Sequence, residues 1–299
     1  MNKLILLFFV AIIGCTHKTS ESNIKNSNNE KQNNVHLENI QKNLVPIHYL
    51  KEHADSKSIT QMMVEEKVPG VSIANIENGK IAWQKSYGFA NLQDSNPVTP
   101  NTLFSGASLS KPIAAMTALN LVEKGYINLN DDVNIYLKNW KIPNNKFTEQ
   151  EKVTLKRLIG HTAGINNYVP KSYSLTEEVP NIIELLSGKK PSVDTSATVV
   201  NIPGKKQKYS NPGYSIIQKL IEDVSDKKFE LVTEELVFKP SGMYNSSFEQ
   251  PLPSNLLKNT ATGYSNDLTP YPYKVFPWKA AGGIWTTPTD LGKFLITLL

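Results

Sequence analysis

A serine followed three residues later by a lysine can supply a nucleophile and its base. Residues three apart in a helix lie on the same face, so the lysine amine can reach the serine hydroxyl. A lysine surrounded by apolar residues sheds its proton near neutral pH and can then accept the proton of the serine. The sequence contains four such pairs, which are Ser22/Lys25, Ser108/Lys111, Ser187/Lys190 and Ser225/Lys228.

The surroundings of these pairs single out Ser108 and Lys111. Ser108 follows a loop of small residues (SGA) and precedes the apolar run PIAAMTALNLVEK, which ends before Gly125 as a helix does. The other pairs lie in a polar N-terminal stretch or in charged, loop-like segments. A helix N-terminus also stabilises the negative charge that develops when a serine attacks a carbonyl group. The context favours a catalytic pair over an ordinary surface serine and lysine.

A second pattern, Tyr-x-Asn, places a phenol beside an amide. A phenol has an ordinary pKa of ~10, so it needs a nearby cation to act as a base, and Lys111 could supply that charge. Asn211 could hydrogen-bond a substrate amide, or it could simply form a turn before a helix. Only Tyr209-Ser210-Asn211 lies in a Gly- and Lys-rich loop directly before an amphipathic segment. The three occurrences are Tyr126/Asn128, Tyr209/Asn211 and Tyr264/Asn266.

Other kinds of site find little support in the sequence. The segment G-x-S-x-G, which carries the nucleophile of many Ser-His-Asp enzymes, does not occur, so we expect His161 not to be catalytic. The five histidines show no H-x-x-x-H or H-E-x-x-H spacing, so we expect no metal and no cofactor. The net charge is +5, but lysines do not alternate with aromatic residues in a dense stripe, so we expect no nucleic acid partner.

The first residues resemble a bacterial lipoprotein signal. Lys3 precedes the apolar run LILLFFVAII, which spans ~15 Å as a helix and is too short to cross a bilayer. Gly14 and Cys15, the single cysteine, follow this run, as in a lipobox whose cysteine is lipidated. An ordinary signal peptide with an incidental cysteine is the alternative. We predict a signal peptide over residues 1–14, a flexible polar tether over 15–45, and a folded domain over 46–299.

Hydrophobic periodicity and capping residues predict the elements of the folded domain. Asn78-Gly79 lies between two alternating apolar runs and predicts a β-hairpin. Asn101 to Ser110 is expected to form a loop. The AAGGIW segment predicts a short strand, followed by a helix capped by Thr287. The other predicted helices are Ile59 to Lys67, Lys111 to Lys124, Pro212 to Val224 and Glu230 to Val237.

Several segments together resemble the serine β-lactamase and penicillin-binding protein superfamily. The resemblance covers roughly residues 55–299 and is closest to the branch of class C β-lactamases, D-alanyl-D-alanine carboxypeptidases and esterases. It implies an α+β fold in which an antiparallel sheet is flanked by helices and joined by an all-helical region. The matching segments are LFSGASLSKPIAAMTALNLVEKG, INLNDDVNIYL, VTLKRLIGHTAGI, KYSNPGYSIIQKLIEDVSDK, FKPSGMYNSSF and AAGGIWTTPTDLGKFL.

The resemblance also assigns roles to individual residues. Ser108 corresponds to the acylated nucleophile and Lys111 to its activating partner. Tyr209 corresponds to the base that also protonates the leaving group, and Asn211 to a contact with the substrate amide. The segment that contains His161 is structural in the family.

One part of the family pattern is absent. A late strand carries Lys-Thr-Gly or His-x-Gly in the family and contributes an oxyanion donor, but Lys-x-Gly and His-x-Gly occur nowhere in this sequence. The last residues, FLITLL, form an apolar helix end without a cap. We therefore expect the missing motif and the last strands of the sheet to lie beyond Leu299. A degenerate, unstable product that lacks them is the alternative.

The sequence thus predicts a serine hydrolase that is anchored through Cys15 to a membrane of the bacterial cell envelope. The expected substrate is a β-lactam, a peptidoglycan stem peptide or a small ester, each attacked to give an acyl-enzyme. A lipoprotein that binds peptidoglycan peptides or a partner without catalysis is the main alternative. A purely structural lipoprotein is a further one.

Overall fold

The computed structural model describes residues 37–38, 41–44 and 56–299. The predicted signal peptide, Cys15 and most of the predicted tether lie outside these residues. Leu44, near the end of the predicted tether, exchanges two backbone hydrogen bonds with Lys57. Among the residues that are described, no helix has both the length and the apolar character needed to cross a membrane.

Within the predicted 46–299 domain the chain forms two compact units. The first contains the described residues up to Thr102 together with Thr260–Tyr271 and Thr287–Leu299, and the second contains Leu103–Asn259 and Pro272–Thr286. The strands are β1 (Gly70–Glu77), β2 (Lys80–Asn91), β3 (Asn96–Pro97), β4 (Phe104–Ala107) and β5 (Ile284–Thr286). The helices are α1 (Ile59–Glu65), α2 (Ser110–Glu123), α3 (Leu155–Ile159), α4 (Ile182–Ser187), α5 (Asn211–Ser225), α6 (Phe229–Thr233), α7 (Lys239–Ser241), α8 (Ser254–Leu257), α9 (Lys279–Gly282) and α10 (Pro288–Thr297), with a 3₁₀ turn at Val133–Ile135 and a π-helical segment at Glu234–Phe238.

The first unit is organised around the predicted hairpin. Strands β1 and β2 pair antiparallel, and β3 adds to the other edge of β2. Asn78 and Gly79 form the turn with φ angles of 50° and 69°, as their sequence predicts. Helix α10 packs on β1 and β2. Its N-cap is Thr287, whose hydroxyl accepts the N–H of Asp290, and this prediction is therefore confirmed.

The second unit is mainly helical. Helices α2, α5 and α9 pack against one another, and β4 pairs with β5 beside them. The predicted apolar face of α5 is confirmed, because its isoleucines and leucine are fully buried. These residues are Ile216, Ile217, Leu220 and Ile221. The packed helices place the first turns of α2 and α5 in one small volume, where the candidate site lies.

The α+β class is confirmed, with one small antiparallel sheet in each unit. Two local predictions are wrong. The expected loop from Asn101 to Ser110 contains β4, because its partner β5 lies almost 180 residues away and gives no local signal. Gly106 allows this pairing, since a Cβ there would lie 2.6 Å from Cγ2 of Ile284. The AAGG segment, expected to begin a strand, instead ends helix α9.

A substitution at Gly88 tests how closely the backbone is packed in the first unit. Its φ of 69° is left-handed, and a Cβ at this position would lie 2.1 Å from the carbonyl oxygen of Pro69. Gly79 has the same φ but no neighbouring atom within 4 Å of such a Cβ. Gly79→Ala should therefore lower the free energy of unfolding by only about 1–2 kcal/mol, the cost of a left-handed backbone. Gly88→Ala should lower it by at least about 1 kcal/mol more, because of the added overlap.

Urea denaturation followed by circular dichroism measures both variants. Equal losses in the two variants would show that the backbone around Pro69 yields to the added methyl group.

Candidate active site

Ser108 lies in the turn between β4 and α2, and Ser110 fixes that turn. The buried hydroxyl of Ser110 donates to the carbonyl of Ala107 at 2.6 Å and accepts the N–H of Ile284 at 3.0 Å. Ala107 has a φ of 43°, an uncommon conformation for a residue with a side chain. The turn is thereby held against β5, while Ser108 itself remains exposed.

Lys111 lies in the first turn of α2 and is almost completely buried, with 4% of its surface exposed. Its Nζ donates to Oγ of Ser108 at 3.2 Å and to Oδ1 of Asn211 at 3.0 Å. It also donates to the backbone carbonyl of Ala281 at 2.5 Å. All three acceptors are uncharged, so the amine is hydrogen-bonded without a counter-ion among them.

This environment changes the acidity of Lys111. Burial lowers the pKa of its amine to about 8, because a charged group loses the solvation of water. A large share of Lys111 is then neutral in mildly alkaline solution. Its lone pair can accept a proton from the Ser108 hydroxyl, with which it already shares a hydrogen bond.

Tyr209 approaches Ser108 from the segment that precedes α5. Its hydroxyl lies 2.7 Å from Oγ of Ser108, although 101 residues separate the two in the chain. Nζ of Lys111 lies 4.7 Å from the centre of the Tyr209 ring, a distance at which a cation is attracted to the ring face. Oγ of Ser108 therefore has two titratable groups within hydrogen-bond distance.

Asn211 begins helix α5 and is held at both ends of its side-chain amide. Oδ1 accepts from Lys111, while Nδ2 donates to the carbonyl of Tyr168 at 3.0 Å. Its backbone N–H donates to Oδ1 of Asn167 at 3.1 Å. Only 7% of Asn211 is exposed, so its amide orients the Lys111 amine. Its contact with a substrate amide stays a prediction.

Comparison with known protein families gives a match over most of the chain. The family model described as Beta-lactamase matches residues 56–299. The chain belongs to the beta-lactamase family. The resemblance inferred from the sequence is thus confirmed, and the structure brings all four predicted side chains of this family member, Ser108, Lys111, Tyr209 and Asn211, into one hydrogen-bonded cluster.

Individual relatives match this beta-lactamase family member in sequence over part of their own length. Protein flp of Staphylococcus aureus (strain MRSA252) is 28% identical over 200 residues, which are 66% of this chain and 38% of flp. The chain therefore spans about two fifths of the length of this curated relative.

Solved structures show the same fold. The octameric penicillin-binding protein homologue from Pyrococcus abyssi has a TM-score of 0.63 and 27% identity, over 80% of this chain and 54% of that one. The D-alanine carboxypeptidase AmpC from Burkholderia cenocepacia has a TM-score of 0.62 and 25% identity, over 80% of this chain and 61% of that one.

Ala281 and Tyr214, which both approach the Lys111 amine, escaped the sequence analysis. The carbonyl of Ala281 is a backbone group, and no residue type signals its contact with Lys111. Tyr214 follows Asn211 by three residues on α5, and that spacing could have revealed it, because such residues share a helix face. Its ring centre lies 5.6 Å from Nζ of Lys111, and burial, with a smaller contribution from Tyr209, raises its pKa to about 12.

His161 lies beside Tyr209 in this site, with 4.6 Å between the two ring centres. Burial, and then the charge of Lys111, lower the pKa of its imidazole. Within the described part of the chain, no group of three or more His, Cys, Asp and Glu side chains could hold a metal ion.

The lowered pKa of Lys111 predicts how stability depends on pH. The ordinary pKa of a lysine is 10.5, so between pH 8 and pH 10.5 the unfolded chain binds more protons at this residue than the folded chain. The free energy of unfolding should therefore rise with pH in that window, by up to about 1.4 kcal/mol per pH unit. Below pH 8 both states are protonated, and Lys111 adds no slope.

Urea denaturation of the wild type and of Lys111→Met between pH 6 and pH 9.5 measures this effect. The stability of the wild type relative to the variant should be constant up to about pH 7 and should increase above pH 8. A difference that stays constant to pH 9.5 would mean that Lys111 keeps an ordinary pKa.

Proposed function

We propose that the chain is a serine hydrolase that works through an acyl-enzyme on Ser108. One observation carries this proposal: Oγ of Ser108 lies 3.2 Å from the buried amine of Lys111 and 2.7 Å from the hydroxyl of Tyr209. A serine hydroxyl is a weak nucleophile until a neighbouring group accepts its proton. The neutral amine of Lys111 is such a group, and Tyr209 is a second proton carrier on the same oxygen.

Acylation begins when Oγ of Ser108 attacks a carbonyl carbon and its proton passes to Lys111. Tyr209 then protonates the leaving amine or alkoxide as its bond to the carbonyl carbon breaks. The resulting phenolate lies next to the Lys111 ammonium, which stabilises it electrostatically.

Deacylation restores the starting protonation state of Ser108, Lys111 and Tyr209. Water attacks the Ser108 ester and gives its proton to the Tyr209 phenolate. Oγ of Ser108 leaves the carbonyl carbon and regains its proton from the Lys111 ammonium. The products are the free acid and the starting enzyme.

We propose that the substrate is a small molecule or peptide with an amide or ester carbonyl, such as a β-lactam, a D-Ala-D-Ala peptide or a small ester. Ser108 and Tyr209 are exposed, whereas Lys111 and Asn211 are buried, so a carbonyl reaches the cluster from the side of Ser108. The similarity to a D-alanine carboxypeptidase and to a penicillin-binding protein homologue supports this choice.

Intact-mass spectrometry after incubation with a fluorophosphonate, and separately with a penicillin, tests the nucleophile. The wild type should gain the mass of one adduct, and Ser108→Ala should gain none, because it lacks the attacking oxygen. Ser225→Ala is the matched control, since Ser225 also precedes a lysine by three residues, and it should be labelled like the wild type.

The reagent that reacts faster indicates whether the site favours ester-like or penicillin-like substrates. Folded wild-type protein that gains no adduct from either reagent would contradict the hydrolase and favour the non-catalytic binding protein.

We also propose that the protein is anchored in the bacterial cell envelope by a lipid on Cys15. The run LILLFFVAIIGC supports this proposal, although it lies outside the described residues. A thioether-linked lipid adds apolar surface that holds a soluble body at a membrane.

Metabolic labelling with an alkyne-tagged fatty acid, followed by membrane fractionation, tests the anchor in bacteria that express the full chain. The wild type should be labelled and found with membranes, and Cys15→Ser should lose both properties. Thr16→Ser changes the neighbouring residue and should behave as the wild type. A Cys15→Ser protein that is still labelled would rule out lipidation at this residue.

A further inference from the structure

His161 is hydrogen-bonded to the chain on both sides of Tyr209. Its backbone carbonyl accepts the N–H of Lys208 at 2.8 Å. Its side-chain Nδ1 accepts the N–H of Ser210 at 3.1 Å. The residues immediately before and after Tyr209 are therefore tied to one residue, which follows helix α3 almost 50 positions earlier in the chain.

The imidazole of His161 also packs against the phenol that these bonds position. The two ring centres are 4.6 Å apart, and the rings are tilted by 34°. Nζ of Lys111 lies 4.7 Å from the same phenol ring. The Tyr209 ring thus has His161 and Lys111 as close neighbours, and its hydroxyl meets Oγ of Ser108.

The backbone of His161 is strained. Its φ is 55°, a left-handed conformation that costs about 1–2 kcal/mol for a residue with a Cβ. Such conformations persist where the surrounding contacts over-determine them, and they are concentrated at functional sites. Besides the two hydrogen bonds and the contact with the Tyr209 ring, the His161 N–H donates to the carbonyl of Leu158 at 3.2 Å, and the centre of the imidazole lies 5.2 Å from the ring centre of Tyr214. Together these contacts hold His161 in this conformation.

We infer that His161 is a positioning residue for Tyr209, because it accepts the Ser210 N–H through Nδ1, packs on the phenol ring, and so holds the Tyr209 hydroxyl against Ser108. This inference rests on the proposed function, in which Tyr209 carries protons to and from the substrate.

The role of His161 requires a neutral imidazole. Nδ1 can accept the Ser210 N–H only while it carries no proton, so the single ring proton must be on Nε2. The groups that face the ring are Lys111 from α2, Tyr214 from α5, and Tyr209 from the segment before α5. Burial and the Lys111 charge both oppose protonation, so His161 stays neutral at pH 7 and loses this bond only in acid.

Two substitutions distinguish the effect of the hydrogen-bond acceptor at Nδ1 from the effect of the aromatic ring. His161→Asn keeps an oxygen acceptor close to the place of Nδ1, tolerates a left-handed φ, and does not titrate. His161→Phe keeps an aromatic ring but has no acceptor for the Ser210 N–H. Thr162→Val is the control, because it alters the next residue, which is similarly half-buried.

The rate at which a fluorophosphonate labels Ser108 at pH 8 is the first measurement. We expect His161→Asn to react within threefold of the wild type, His161→Phe at least tenfold more slowly, and Thr162→Val at the wild-type rate. Thermal unfolding confirms which variants are folded. If His161→Phe does not fold, His161→Asn alone still tests the inference through the pH profile below.

The pH profile is the second measurement, and a merely structural residue does not alter it. As pH falls below 6.5, the ordinary pKa of a histidine, and through the lowered pKa of His161, the labelling rate of the wild type should fall further than that of His161→Asn, because only the wild type loses its acceptor by protonation. The inference is overturned if folded His161→Phe reacts like the wild type, if His161→Asn is as slow as His161→Phe, or if the wild type and His161→Asn have the same pH profile.

The tautomer of His161 is a third measurement, which does not depend on catalysis. In ¹⁵N-histidine NMR spectra, the signals that His161→Asn lacks should show an unprotonated Nδ1 and a protonated Nε2 at pH 7. A protonated Nδ1 overturns the inference even when Ser108 is labelled normally. If Ser108 of the wild type is never labelled, the proposed function is refuted, and with it the role of His161 in proton transfer. If the wild type is labelled and the His161 variants are labelled at the same rate, only the positioning role is refuted.

Discussion

The amine of Lys111 is buried, and its three hydrogen-bond acceptors are uncharged oxygens. A buried ammonium group is costly unless an opposite charge or strong hydrogen bonds offset the loss of solvation. Because none of these partners is a carboxylate, the balance shifts toward the neutral amine and the pKa falls to about 8. The chemistry proposed for Ser108 depends on this shift, since a lysine paired with a carboxylate would hold its proton too tightly to act as a base.

Much of the second unit serves to build this environment. Helix α2 supplies Lys111, α5 supplies Asn211, and α9 supplies the carbonyl of Ala281, so the three helices that pack together each contribute one group. The apolar face of α5 provides the burial energy that holds them in place. Ser110 ties the nucleophile turn to β5 through two hydrogen bonds. Packing and polar contacts therefore act on the same few side chains.

The site combines rigidity with local strain. Ala107 and His161 both have positive φ angles. Ala107 directly precedes Ser108, and His161 packs against the ring of Tyr209. Each is compensated by hydrogen bonds that would be lost if the backbone relaxed. This arrangement holds the Lys111 amine and the Tyr209 hydroxyl each within hydrogen-bond distance of Oγ of Ser108, as electrostatic preorganisation requires.

The sequence by itself determined the parts of this protein that depend on neighbours in the chain. The hairpin at Asn78-Gly79, the helix that begins near Lys111, the cap at Thr287, and the Ser-x-x-Lys and Tyr-x-Asn patterns taken one at a time each follow from residues within a few positions of each other. Only the tertiary structure decided that Ala281, 170 residues from Lys111, completes the partners of the amine, that β4 pairs with β5, and that His161 contacts both neighbours of Tyr209. The physical reason is that these contacts use backbone groups or distant rings, whose positions are set by helix packing and leave no pattern in the local sequence.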